Sequence, residues 1–591
     1  MTNNPFYPPQ WQNQQQVPVI VKNYNIQSTG PMDNHSHINH VYEDILPKKE
    51  LNATMASLGE RLTINSFIRS VLLQDSDGEH ISLNPESKNS ILSYIKFLEL
   101  NPYSNDMFSN NPYKDLPSNF LIHRSCYPIR FDSRTNSVEC ARNSVGMNIR
   151  IYNLTNSEYE INKTTNKQNS HNSWREINYY NFIKEHIIKP KVSPNFVLMH
   201  AYYISQDSNI DFKKLRELRT GKQESIEPSY IKEEELGKDK IKESDRIKLL
   251  TKKLESLSIS KPMDLPSSIP EEKQAVVKNP DRTSGKVIVS LTESPNNTIF
   301  SWASKLYERT GNIKRMISTG YHNENVWYNI LFQMISALYV LQLNNISFED
   351  YQLEHFVYIK DIKLTSDVTN YWKYIIDNKE YYVPNYGYIV LIDTNYKDIK
   401  KSSESKDCKK YKINAEFLES SDQKKNAFNS FIKSISPNIW GKTFITMGGT
   451  RMPEPIRILL TKMYQEAIKE ENINIGYYLS KYFRKYLNNR IGTYLTTSEI
   501  EFIRKTDAKN FKDGDIIVHE TNYDTYKFVM WNDQKILTKE NIDDHDIIEK
   551  RVSKGNLFKY SNIEKITQKF KQENGSLNED DIIEIYKINQ K

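Results

Sequence analysis

Four charged side chains lie within or next to predicted secondary-structure elements, and their types could support phosphoryl transfer. Arg150 lies in a predicted strand, and Glu176 lies near the start of the helix predicted next. Much later in the chain, Asp350 follows a long predicted helix and Asp393 ends a short apolar strand. Phosphoryl transfer requires a cation on the phosphates, carboxylates that hold magnesium, and a carboxylate that orients the attacking hydroxyl. These residue types match that chemistry if the fold brings them together.

The elements that must position these residues follow from apolar periodicity. Residues 147–153 (MNIRIYN) and 286–291 (KVIVSL) are predicted strands, and residues 174–187 form a predicted helix between them. A long amphipathic helix is predicted at about 325–341, where the apolar residues form one stripe. Residues 388–392 are predicted as a further strand. Strand, helix, strand, long helix and strand therefore follow one another along the chain.

Short motifs occur in a fixed order between about residues 126 and 500. The segment MNIR at 147–150 precedes SPNFV at 193–197, and later FEDYQLEH at 348–355 precedes DTN at 393–395. This order resembles that of the protein kinase family. More narrowly, it resembles the divergent kinase-like proteins of giant nucleocytoplasmic DNA viruses of the mimivirus type. The fold that this resemblance implies is a bilobal, protein-kinase-like α+β domain.

The resemblance implies a role for each matched residue. Arg150 takes the place of the phosphate-binding lysine of V-A-I-K, and Glu176 takes the place of its glutamate partner. Asp350 corresponds to the catalytic base, while Asp393 and His355 correspond to the magnesium ligands. The cofactors implied are ATP and magnesium, if any cofactor binds.

The resemblance also implies an organisation into two lobes. Residues 126–206 and 283–318 are expected to form the small lobe, and residues 319–500 the large lobe. Residues 292–295 (TESP) look like the hinge between the lobes, whose backbone is expected to face an adenine. Residues 207–282, rich in Lys, Glu and Ser, are predicted to be a flexible insertion because they cannot bury enough apolar surface to offset chain entropy.

The ends of the chain lie outside this resemblance. Residues 1–16 are predicted to be a disordered tail, and residues 17–125 form an N-terminal extension in which 90–98 have helical spacing. Residues 501–591 alternate polar and apolar residues between short turns, which predicts a small β-rich, SH3-like module. Residues 580–586 are predicted as one of the helices that close this module.

Departures from the kinase pattern favour a pseudokinase. Residues 131–146 contain a single glycine, Gly146, so the glycine-rich phosphate loop is missing. Arg150 is not equivalent to lysine in shape or reach, and His355 is a poorer magnesium ligand than an oxygen donor. The expected function is that of a kinase-like scaffold or virion-structural protein. Two alternatives stay open: a divergent active serine/threonine kinase that uses ATP, and a purely structural capsid-associated or inner-core virion protein.

Composition limits the class of protein further. The 591 residues carry 80 basic and 74 acidic side chains, a net charge of +6, without the basic clustering that nucleic-acid binding needs. No stretch has the apolar length of a membrane span. Cys126, Cys140 and Cys408 fit no metal-ligand spacing, and their odd number predicts free thiols in a reducing compartment. A soluble protein of the host cytoplasm or the virion is expected, with other viral proteins as partners.

Overall fold

The chain has a mixed α+β fold built from several sheets whose strands are mostly antiparallel. The predicted α+β class is therefore confirmed. The predicted tail 1–16 and most of the predicted insertion lie outside the described residues. The computed structural model describes residues 55–74, 83, 95–104, 111–114, 116–132, 137–160, 171–206, 208, 210–220, 282–310, 322–348, 351–362, 364, 370–394, 421–442, 448–469, 473–487, 491–495, 497–504, 511–522, 525–540, 547–560 and 582–589.

The N-terminal helix α1 begins with a reciprocal cap. The Ser57 hydroxyl accepts a hydrogen bond from the Glu60 N–H at 3.1 Å, while the Glu60 carboxylate accepts one from the Ser57 N–H at 3.2 Å. This pairing satisfies two of the N–H groups that a helix start leaves open. Ile64 and Ile68, one turn apart, are buried where the helix packs towards the first sheet. Helix α1 spans Leu58–Gln74.

The first sheet contains five antiparallel strands in the order β1-β2-β3-β5-β4. A helix, α3, connects β3 to β4 and packs against the sheet. Residues 95–98, which were predicted to be helical, instead lead without helix into the short edge strand β1. The elements of this part are β1 (Glu99–Leu100), β2 (Phe120–Asp132), β3 (Ser137–Thr155), α2 (Asn156–Glu160), α3 (Asn172–Ile183, continued by a π-helical turn at Lys184–Ile188), β4 (Met199–Ser205), α4 (Phe212–Thr220) and β5 (Thr283–Glu293).

The long helix α7 forms the centre of the second part. It is apolar and long enough to cross a membrane, but 94% of its most apolar window is buried inside the protein, as in a core helix. A three-stranded sheet of order β10-β7-β6 packs beside it, and the hairpin β8–β9 precedes β10. The elements are β6 (Asn297–Thr298), α5 (Ile299–Trp302), α6 (Lys305–Thr310), α7 (Glu324–Leu343), α8 (Leu353–Phe356), β7 (Val357–Asp361), β8 (Tyr371–Ile376), β9 (Lys379–Pro384) and β10 (Tyr388–Ile392).

Further helices cover α7 from the other side. The first, third and fourth of them pack directly on α7, and their buried residues include Phe431, Met463 and Tyr478. They are α9 (Ser421–Ile435), α10 (Pro437–Trp440), α11 (Glu454–Ala467), α12 (Ile475–Tyr482) and α13 (Thr497–Ile500).

The C-terminal region is β-rich, as predicted, but its last strand lies elsewhere. Six strands form an antiparallel sheet of order β11-β16-β12-β13-β14-β15. Residues 582–588 are a strand and not the predicted helix, and this strand pairs in parallel with β8 of the β8–β9 hairpin. The strands are β11 (Ile503–Arg504), β12 (Ile516–Asn522), β13 (Thr525–Asn532), β14 (Lys535–Thr538), β15 (Ile548–Lys550), β16 (Leu557–Tyr560) and β17 (Ile582–Ile588).

Two of the three cysteines form a disulfide, so the prediction of free thiols is wrong for them. Cys126 on β2 and Cys140 on β3 are bonded, with their Cα atoms 5.8 Å apart. The register of the β2–β3 pair shifts between Tyr127 and Ile129, so that Cys126 pairs with Gly146 and Cys140 with Ile129, and the disulfide spans this irregularity. Their sequence spacing could not show this cross-strand proximity. Cys408 lies outside the described residues.

Candidate functional site

Strand β3 carries a row of buried polar side chains on one face. Asn148, Arg150 and Tyr152 alternate with apolar residues, so all three point to the same side of the sheet. At most 1% of the surface of each is exposed. Burying polar groups is costly unless other groups pair with them, so this face needs partners from another element.

The end of β10 supplies the first of these partners. Ile392 lies beside the segment that joins α3 to β4: its N–H donates to Asn195 O at 2.9 Å, and its carbonyl accepts from the Val197 N–H at 3.0 Å. The N–H of the next residue, Asp393, donates to Phe356 O at 2.9 Å. These backbone bonds fix Asp393 beneath the polar face of β3.

Arg150 and Asp393 form an ion pair with no exposed side-chain surface on either residue. Arg150 Nη2 donates to Asp393 Oδ2, and Nη1 donates to Thr394 Oγ1 at 3.1 Å. Asp393 Oδ1 accepts from the Tyr180 hydroxyl and from the Thr394 N–H. Both carboxylate oxygens are therefore bonded to protein donors. Burial lowers the pKa of Arg150, but the nearby Asp393 outweighs it and holds that pKa well above the usual value.

Glu176 on α3 lies in the same cluster but has another hydrogen-bond partner. It is buried and accepts from the Tyr152 hydroxyl. Burial raises its pKa, and the positive charge of Arg150 opposes that rise. Arg150, which was expected to pair with Glu176, forms an ion pair with Asp393. The structure brings three predicted site residues together: Arg150, Glu176 and Asp393.

Of the two remaining predicted site residues, the structure describes one, His355. Asp350 lies outside the described residues. His355 is the third residue of α8, and its Nε2 atom lies 3.5 Å from Oε1 of the neighbouring Glu354. Among the described residues, no three His, Cys, Asp or Glu side chains are grouped so that they could hold a metal ion.

A second buried cluster of charges was not predicted from the sequence. Arg61 on α1 bonds Glu293 at the end of β5 through Nε and Nη2, at 2.8 and 2.6 Å. It also donates to the carbonyls of Pro194 and Phe196, and Lys360 Nζ lies 3.6 Å from Glu293. Burial raises the pKa of Glu293, but Arg61 and Lys360 outweigh it and hold that pKa well below its usual range. Helix α1 is thereby fixed to the segment that precedes β4.

ATP and magnesium fit this set of described residues poorly. The cation expected to hold phosphate is bonded to Asp393 and Thr394, and the carboxylate expected to hold magnesium accepts hydrogen bonds from Arg150, Tyr180 and Thr394. None of the side chains in this pair reaches solvent. Chemically, the arrangement can tie a strand to a distant loop, and its ion pair presents no charge to solvent.

The sequence did not predict the hydroxyl groups that bond to the Arg150 cluster, nor the buried ion pair of Arg61. Tyr152, Tyr180 and Thr394 complete the cluster, although a tyrosine within a strand or helix usually indicates packing. One signal was available: Asn148, Arg150 and Tyr152 recur every second residue in a strand whose other face is apolar. Such a strand predicts a buried polar face. Nothing in the sequence around Arg61 indicates that its partner lies 232 residues away.

Comparison with known proteins identifies a relative in a giant virus. No protein-family model matches the chain. The chain is 38% identical over 579 residues to an uncharacterised protein of Acanthamoeba polyphaga mimivirus, and the match covers 95% of this chain and 75% of that protein. The giant-virus origin inferred from the sequence is supported by this relative. The similarity does not address kinase-like character.

Proposed function

The chain belongs to the same family as the mimivirus protein, and on that premise we propose that it is a kinase-like pseudokinase with a scaffold role in the virus particle. It is a binding and structural protein that transfers no phosphate and needs neither ATP nor magnesium. The single observation that carries this proposal is the buried ion pair between Arg150 and Asp393.

The order and pairing of the elements support the kinase-like, bilobal part of the proposal. Helix α3 lies between β3 and β4 in the chain, and the sheet has the antiparallel order β1-β2-β3-β5-β4. The long helix α7, the antiparallel pair β7 and β10, and then Asp393 follow in sequence. The sequence predicted a cation on an early strand and a carboxylate after a late strand. Arg150 on β3 and Asp393 after β10 have these positions in the chain and form an ion pair.

The chemistry of the ion pair supports the absence of phosphoryl transfer. Both terminal nitrogens of Arg150 already donate, one to Asp393 and one to Thr394, and the guanidinium is buried away from solvent. Breaking a buried pair by withdrawing one partner leaves an unpaired charge, which costs about 3–5 kcal/mol. A nucleotide would have to offset that cost before it gained any binding energy.

Thermal unfolding with and without nucleotide tests this proposal. A ligand that binds only the native state must stabilise it, by about 2.7 kcal/mol at 100 times its Kd. The wild-type chain is expected to melt at the same temperature with millimolar ATP and magnesium as without them. Stabilisation together with phosphate transfer that Asp350→Asn abolishes would contradict the proposal and identify an active kinase.

The particle-associated role has its own measurement. Quantitative mass spectrometry of purified virus particles should find the chain at a fixed ratio to the major structural proteins. Absence from particles, with accumulation in the infected cell instead, contradicts a virion scaffold.

A further inference from the structure

Strand β17 pairs with a part of the chain that lies far from it in sequence. It runs parallel to β8, in a register that places Tyr586 beside Tyr374 and Ile588 beside Ile376. The carbonyl of Ile588 also accepts a hydrogen bond from the Asp377 N–H at 3.1 Å. Because the strand order of this sheet is β17-β8-β9, β17 extends the β8–β9 hairpin as an edge strand.

The carboxylate of Glu584 fixes the position of β17 along β8. Its Oε1 atom lies 2.6 Å from Lys191 Nζ, and its Oε2 atom accepts a hydrogen bond from the Leu58 N–H, the first of α1, at 2.5 Å. The Lys587 N–H donates to Lys191 O at 3.2 Å. Strand β8, Leu58 and Lys191 therefore enclose β17 in what we call the strand groove.

Every second side chain of β17 enters this groove. Tyr586 and Ile588 are fully buried, and the ring centroid of Tyr586 lies 5.1 Å from that of Tyr374. Ile585 and Lys587, which alternate with them, are exposed. Sheet edges recognise extended peptides in this way: main-chain bonds supply the affinity, and pockets for alternate side chains supply the specificity.

A long tether joins β17 to the sheet that precedes it. Strand β16 ends at Tyr560 and β17 begins at Ile582, so the 21 residues 561–581 lie between them. A chain spans at most about 3.3–3.6 Å per residue, so this tether can reach up to about 70 Å. A small domain is only about 30 Å wide. The tether is therefore long enough to bring β17 to the strand groove of a neighbouring molecule.

We propose that the strand groove is a binding site for an extended peptide, and that β17 of a second copy of this chain occupies it where copies are packed closely. Such an exchange forms between two molecules the same contacts that β17 forms within one, so no contact is lost. Concentration then decides which pairing prevails, because a flexible tether gives a strand an effective concentration in the millimolar range at its own groove. The inference rests on the proposed scaffold role for this close packing, whereas the groove is defined by the contacts above.

A disulfide between two different full-length variants tests the exchange. Lys373 and Ile585 are neighbours across β8 and β17, at a spacing that a disulfide can bridge. One chain carries Lys373→Cys, the other carries Ile585→Cys, and both carry Cys408→Ser. The two are mixed, concentrated to about 1 mM and oxidised with glutathione disulfide. A disulfide-linked pair of the two chains should appear on a non-reducing gel and increase with protein concentration.

The matched control moves the second cysteine away from the groove. Tyr202 on β4 is 39% exposed, similar to the 43% of Ile585. Tyr202→Cys in place of Ile585→Cys should therefore react as readily with glutathione but give no linked pair with the Lys373→Cys chain.

A free peptide tests the groove itself. Tyr586→Ala weakens the chain's own strand, and a labelled peptide of residues 580–591 should then bind at least about tenfold more tightly than it binds the wild-type chain, whose groove is open in at most about 10% of molecules. The same peptide with Glu584→Gln and Tyr586→Ala should bind neither chain. Tyr526→Ala removes a buried tyrosine from β13 and is the control for general destabilisation. If Tyr586→Ala does not fold, the milder Glu584→Gln replaces it with a smaller expected gain.

Each failure has its own meaning. A linked pair no more abundant than in the Tyr202→Cys control overturns the exchange between copies. Equal affinity of the peptide for the wild-type chain and every folded β17 variant, or an equal gain in Tyr526→Ala, overturns the groove as a peptide site. Stabilisation by ATP and magnesium, or absence from virus particles, overturns instead the proposed function, so the failures are distinguishable.

Discussion

Replacing Arg150 with leucine should destabilise the chain far more than any change to an exposed ion pair. The Arg150→Leu substitution leaves the Asp393 carboxylate without its cation in a place that solvent does not reach. Withdrawal of one partner from a buried pair costs about 3–5 kcal/mol. Loss of the 3.1 Å bond to Thr394 adds about 1 kcal/mol. A total of about 4–6 kcal/mol is a large part of the roughly 5–15 kcal/mol that stabilises a typical domain.

Chemical denaturation measures this effect, and a double-mutant cycle isolates its cause. The midpoint of urea unfolding should fall strongly in Arg150→Leu and in Asp393→Leu. The double variant should recover much of the loss, because an apolar pair of similar volume often replaces a buried ion pair at little net cost. Lys189→Ala is the control, because it breaks an exposed i,i+4 pair with Glu185 and should change stability by no more than about 0.5 kcal/mol.

One outcome refutes the reasoning. If Arg150→Leu and Lys189→Ala lower the unfolding free energy by the same small amount, then water and ions reach Arg150 and Asp393 readily. The site would then be an open cleft, and the proposal that the chain binds no nucleotide would lose its main support.

Three further changes have expected results. Burial lowers the pKa of His322 to about 4, so below pH 6.5 the unfolded chain takes up a proton at this residue before the native chain does. This difference costs the wild-type chain up to about 3 kcal/mol of unfolding free energy between pH 6.5 and pH 4. His322→Phe should remove that loss, as measured by urea unfolding across this pH range. Glu584→Gln weakens the acceptor for the Leu58 N–H at the start of α1, and hydrogen exchange should speed up in β17 before other strands. Cys140→Ser should lower the unfolding free energy by about 2–4 kcal/mol, and a reducing agent should do the same to the wild-type chain but not to this variant, in which Cys126 has no partner.

The elements near the predicted site could be found from local sequence, whereas the contacts between them could not. The prediction of a long helix at about 325–341 matches α7, and the strand predicted at 388–392 matches β10, because apolar periodicity reports burial directly. The strand 582–588 was mistaken for a helix because seven residues give too short a pattern to separate the two periods. Its partner β8 is far away in sequence, so only the folded chain reveals the pairing.

The choice of partner for Arg150 shows a similar limit. A cation on one strand and two carboxylates on other elements were expected to meet, and the sequence cannot say which carboxylate takes the cation. The backbone bonds of Ile392 decide it, because they hold Asp393 directly beneath the guanidinium while Glu176 is bonded to Tyr152. Long-range register, which no local pattern encodes, therefore determines whether the cation is available to a ligand.

The first and last described elements, α1 and β17, reinforce a closed arrangement, which supports the proposed scaffold role over that of an enzyme that must move. Arg61 on α1 joins the end of β5 to the segment before β4, and Glu584 on β17 accepts from the first N–H of the same helix. The Trp372 indole on β8 donates to Ala56 O at 2.8 Å, which ties the hairpin to α1 as well. Enzymes that close over a substrate need segments that separate at low cost. Among the described residues, each such separation would expose a buried charge or break a hydrogen bond, so the same contacts hold these elements together and enclose the Arg150–Asp393 pair.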